Sequence, residues 1–184
     1  TNGNEWNTSA VENMSFMFHY ATDFNQDITD WDTAEVTNMS TMFSYASNFN
    51  QDINTSGDKW NVSSVTDMQR MFYLAAAFNG NIAGWNVSSV GVFYEMLRQC
   101  PFNQDISSWN TASATNMRGM FHYNTAFNQD IGNWDTADVT TFRSMFYLGQ
   151  SFNQDISDWD IGNATDFYDF FSGANALSTA NYNL

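Results

Sequence analysis

The stretch FNQDISSWNTASATNMRGMF, residues 102–121, decides the fold, because close relatives of it occupy residues 24–43 and 127–146. A repeat of this kind has to be recognised before any local element is assigned. Working outward from Trp109 in that stretch, tryptophan recurs at Trp6, Trp31, Trp60, Trp85, Trp109, Trp134 and Trp159, at spacings of 25, 29, 25, 24, 25 and 25 residues. The long spacing reflects extra residues at NTSGDK (54–59), and the short one a residue missing around Cys100 and Pro101.

Within the unit, Val36, Met39, Met42, Phe43 and Ala46 are spaced as on one face of a helix, and Val139, Phe142, Met145 and Phe146 repeat the pattern. This spacing predicts a short amphipathic helix in each unit, with Thr37, Thr66, Thr115, Thr140 and Thr165 near its N-cap. The FNQDI block beginning at Phe24, Phe49, Phe102, Phe127 and Phe152 reads as a short strand with its Ile turned inward. One such unit cannot bury its apolar face alone, so about seven units are expected to stack. The expectation is an α/β fold, a right-handed solenoid of about seven 25-residue coils, with parallel strands on the concave face and short helices on the convex face. It is expected to form one domain over residues 1–184.

The 184 residues carry 20 acidic and 5 basic side chains, a net charge of −15. Neutralising a phosphate lattice requires cations, so nucleic acid and anionic membrane surfaces are excluded as partners. No apolar run approaches a membrane span. Cys100 is the only cysteine, which leaves no disulfide and no thiolate metal site. No GxSxG elbow, phosphate-binding GxxxxGK loop or HExxH helix occurs, and His19 and His122 are equivalent repeat positions rather than a pair. The chain therefore reads as a non-enzyme.

The FNQDI, Trp, VTNM and MF blocks recur together and in order. In this the chain resembles the repeat of BspA-like leucine-rich-repeat bacterial surface proteins, including surface lipoproteins of Mycoplasma and Listeria. The resemblance implies a leucine-rich-repeat-like solenoid, exposure on the cell surface, and extracellular adhesion or protein binding in place of catalysis. The pattern decays after Phe170 and Phe171, and the chain is expected to be a fragment of a larger surface protein.

Two candidate surfaces follow. One is the polar column Asp27, Asp52, Asn81, Asp105, Asp130 and Asp155, expected on the concave face as a docking surface. The other is a contact patch where the repeat is broken, at Lys59, Val92, Tyr94 and Arg98. The expected partner is a surface protein or glycan of a host or neighbouring cell. Two alternatives remain at this stage. A Ca²⁺ ion held by Asp105, Asp130 and Asp155 would make the chain a calcium-stabilised spacer of a large adhesin. The aligned Thr8, Thr33, Thr111 and Thr136 would instead suit an ice-binding face.

Overall fold

In a computed structural model, which describes residues 6–54 and 60–181, the units stack in the register of the repeat. The predicted α/β architecture is nonetheless overturned, and with it the leucine-rich-repeat-like solenoid. Among the described residues the only helix is a 3₁₀ turn, Thr179–Asn181, far from the Met-Phe segments expected to be helical. No sheet occurs among the described residues either. Neighbouring coils meet through single parallel bridges that run Asn13, Asn38, Asp67, Val92, Asn116, Thr141, Asp166.

The reason lies in where the amides go. From Met39 to Ala46, the N–H groups of Met39, Thr41, Phe43 and Tyr45 donate to carbonyls of the next coil, at Asp67, Gln69, Met71 and Tyr73. The intervening amides of Met42, Ser44 and Ala46 close turns onto the carbonyl three residues back. Alternating donors of this kind exclude the i→i−4 ladder of an α-helix. The backbone reverses hand twice per coil to achieve this, as at Thr41 (φ 61°) and Tyr45 (φ 60°), and again at Gly119 (φ 61°). Left-handed residues with a Cβ cost about 1–2 kcal/mol each. Four inter-coil bonds, at about 0.5–1.5 kcal/mol net each, offset that cost.

The FNQDI block is not a strand, because side chains replace the backbone ladder there. Asn25 Oδ1 accepts the Asn50 N–H (2.9 Å), Asn50 Oδ1 the Asn79 N–H (2.7 Å), and so on through Asn103, Asn128 and Asn153. The Gln amides of Gln51, Gln129 and Gln154 reinforce this ladder from the side. Gly80 stands where other units carry Gln; a Cβ there would overlap the backbone carbonyl of Gln51.

The interior is a set of like residues stacked coil on coil. Phe24, Phe49, Phe78, Phe102, Phe127 and Phe152 form one column with centroids 5.9 to 6.3 Å apart. Phe43, Phe72, Phe121 and Phe146 each pack flat against the Phe of their own FNQDI block, at 3.7 to 4.0 Å. Trp85, Trp109, Trp134 and Trp159 stack 6.3 to 6.4 Å apart. Each donates Nε1–H to the Ile carbonyl of the preceding coil, which satisfies these four indoles, whereas the buried Trp60 Nε1 has no partner among the described residues.

Candidate functional site

The turn segment that packs the core also presents one outward strip. After each bridging residue the chain points in at the first, fourth and fifth positions, as at Met68, Met71 and Phe72, which are fully buried. The second, third, sixth and seventh positions lie on the opposite face of the segment, where Ser40, Thr41, Ser44 and Glu95 are covered by their neighbours and most of the others reach solvent. Stacking brings to these positions seven of the chain's eight Tyr, both His and four of its five basic residues, Arg70, Arg98, Arg118 and Arg143. In a chain of net charge −15, its arginines share one strip with most of the exposed aromatic surface. Phe16, Tyr20, Tyr123 and Tyr168 are exposed there by 58, 59, 42 and 61%.

The strip is ordered by contacts between coils. Tyr20 stacks on Tyr45 at 4.3 Å, and Tyr45 meets Tyr73 edge-on at 5.3 Å. The guanidinium of Arg70 lies 5.4 Å from the Tyr73 ring and 5.0 Å from that of Tyr94. Arg118 approaches Tyr94 at 5.3 Å, and Arg143 approaches Tyr168 at 4.4 Å. Such cation–π contacts orient the guanidinium groups without neutralising them.

Glu95 anchors the centre. Its carboxylate is 4% exposed and accepts from Arg70 Nε at 2.7 Å and from Arg98 Nη1 at 2.5 Å. Burial alone would raise its pKa, but the two guanidinium hydrogen bonds outweigh burial and hold the carboxyl below its usual range. Arg70 Nη2 also donates to Tyr94 Oη at 3.1 Å, which fixes the plane of the guanidinium. At the N-terminal end of the strip lies a cleft of about 340 Å³. Phe16, His19 and Tyr20 form one side, and Gln69, Arg70 and Tyr73 the other, with Thr41, Ser44 and Tyr45 between them.

The residues singled out from sequence fall elsewhere, or are divided. Asp27, Asp105 and Asp155 are exposed in the FNQDI block, where each Oδ1 accepts the N–H two residues on, at 3.0, 2.9 and 3.0 Å. Those backbone bonds, with the adjoining Thr29, Ser107 and Ser157 hydroxyls, hold all three carboxyls below the usual range. Asp130 caps Gly132 and Asn81 caps Ala83 in the same way, while Asp52 accepts from Asn81 N–H. Among the described residues no three His, Cys, Asp or Glu side chains gather to hold a metal ion, so Asp105, Asp130 and Asp155 do not converge as a calcium site.

Of the expected contact patch, Tyr94 and Arg98 belong to the strip, and Val92 sits half-buried in the bridge ladder. Lys59 lies outside the described residues. Thr33, Thr111 and Thr136 are 1% exposed and donate Oγ1–H to carbonyls of the next coil, and Thr8 is 5% exposed, so this column offers no face to ice. Arg70, Arg118, Arg143 and Glu95 were not singled out; aligning the few basic residues on the repeat shows them at neighbouring outward positions.

A family model described as "Mycoplasma protein of unknown function, DUF285" matches residues 1–101 and again residues 95–183. No curated protein and no solved structure matches the chain.

Proposed function

We propose the following role for a chain that belongs to the Mycoplasma family of unknown function DUF285: it is a non-catalytic binding module, and the aromatic–arginine strip is its recognition face. The observation that carries this reading is the gathering of Arg70, Arg98, Arg118 and Arg143 with seven tyrosines on one strip of a strongly acidic chain. Tyr and Arg are the side chains that most often dominate binding energy at interfaces. Burial pushes the Cys100 thiol up to about 12 and keeps it protonated, so this cysteine is not poised as a nucleophile. The likeness of the repeat to BspA-like surface proteins supports an extracellular, adhesive setting on the cell surface, facing a protein or glycan of a neighbouring cell.

Beads coated with the chain and applied to an animal-cell monolayer test this. A strip variant, Tyr20→Ser with Arg118→Gln, Arg143→Gln and Tyr168→Ser, is expected to abolish bead retention. A second variant, Asp27→Asn with Asp105→Asn and Asp155→Asn, is expected to keep it. The opposite pattern, or no retention of the unmodified chain, overturns the reading.

A further inference from the structure

We infer that the cleft at the N-terminal end of the strip is a subsite for an acidic sugar, a pyranose bearing one carboxylate. This rests on the strip being the recognition face. The cleft's volume of about 340 Å³ lies at the small end of ligand sites, suited to one or two sugar rings. Its aromatic side is the stacked pair Tyr20 and Tyr45, with Phe16 at the rim. Phe16 and Tyr20 leave more than half of their surface in water, and the apolar C–H face of a pyranose can cover such rings while its hydroxyls stay solvated. Gln69 offers both an amide donor and an acceptor to those hydroxyls.

Arg70 supplies the selectivity. Its guanidinium lines the cleft, keeps 45% of its side-chain surface exposed, and is already positioned by Glu95 and Tyr94. Arg70 and Arg98 share the one Glu95 carboxylate, which leaves the group a net positive charge, and a carboxylate arriving there meets a guanidinium that needs no further ordering. The cleft holds one arginine, so it matches a ligand with one charge and one flat apolar face. A peptide rich in Asp or Glu brings several charges toward a chain of net charge −15, and the field of the whole molecule opposes it. Further aromatic–guanidinium pairs along the strip, Tyr94 with Arg118 and Tyr168 with Arg143, repeat the same chemistry.

Isothermal titration of the whole chain with cellobiouronic acid, cellobiose and a hexaglutamate peptide tests the inference. The acidic disaccharide is expected to bind about tenfold more tightly than cellobiose. Arg70→Gln should bring that ratio toward one, and Tyr20→Ser, at an exposed ring that can be removed without opening the core, should weaken both sugars. Equal affinity for the two disaccharides, unchanged binding by Tyr20→Ser, or tighter binding of hexaglutamate would each overturn the inference. If no sugar binds yet the strip variant still abolishes bead retention, only the sugar assignment fails. If bead retention also survives the strip variant, the recognition face itself is wrong.

Discussion

At the scale of single residues, His122 brings an imidazole with a buried, unpartnered nitrogen into the strip. His19, Tyr73 and Tyr147 occupy the same column, and the His122 ring lies beside Tyr123 (5.0 Å) and Tyr147 (4.8 Å). Its buried Nε2 has no hydrogen-bond partner among the described residues. Burial first, then the charges of Arg98 and Arg118, lower its pKa to about 4, and Glu95 and Asp169 oppose this only in part. The folded state therefore favours the neutral ring more than the unfolded chain does, whose His titrates near its ordinary 6.5. That stabilisation is complete above pH 6.5, declines as pH falls towards 4, and is flat below. Discounted for a half-buried ring, it is on the order of 2 kcal/mol, and thermal unfolding should show Tm falling by about 4–8 °C across this window. His122→Tyr, the residue that Tyr73 and Tyr147 supply at this position in two other coils, should flatten the curve between pH 6.5 and 4. An unchanged slope in the variant would move the effect to other groups.

At the scale of elements, the sequence exposed the period and the buried columns, but not the backbone that carries them. Val36, Met39, Met42 and Phe43 are fully buried, as the helical reading required. The same offsets also fit overlapping turns whose spare amides bond to the next coil, and apolar spacing cannot separate the two. Left-handed residues such as Leu74 (φ 57°) and Leu148 (φ 55°) gave no warning, since Leu otherwise favours a helix. FNQDI departs from a strand for a related reason. Its Asn and Gln side chains supply the inter-coil bonds that a strand would have supplied from its backbone. The Asp of that block is an Asx-turn acceptor, which sets a clear expectation for Asp105. Asp105→Ala removes the acceptor for Ser107 N–H and should lower Tm by about 2–4 °C. Asp105→Asn keeps an Oδ1 and should stay within about 1 °C of the parent. Because the carboxylate oxygen is already engaged in its own turn, millimolar Ca²⁺ should shift Tm no more than Mg²⁺ at equal ionic strength. A large Ca²⁺-specific shift would contradict the turn-cap assignment.

At the scale of the whole molecule, charge is segregated more strongly than the linear sequence suggests. Asp27, Asp52, Asp105, Asp130 and Asp155 lie in the FNQDI blocks, while Arg70, Arg98, Arg118 and Arg143 share the strip. Stacking places like charges one coil apart on the acidic side. At close range such pairs repel by about 1 kcal/mol in water, and the repulsion extends over about 30 Å at 0.01 M salt but only about 10 Å at 0.1 M. On the strip, Arg70 and Arg98 meet a carboxylate that is almost fully buried, and buried pairs are screened far less. Stability and recognition should then respond to salt with opposite signs. Raising NaCl from 10 to 150 mM relieves the acidic self-repulsion and should raise Tm by about 2–5 °C. The same change screens the attraction between Arg70 and an incoming carboxylate, so affinity for the acidic disaccharide should fall about two- to threefold while that for cellobiose holds. Melting and titration series on one preparation measure both. A Tm that falls with salt would mean that exposed ion pairs such as Arg143–Asp166, at 3.8 Å, outweigh the repulsion of the Asp columns.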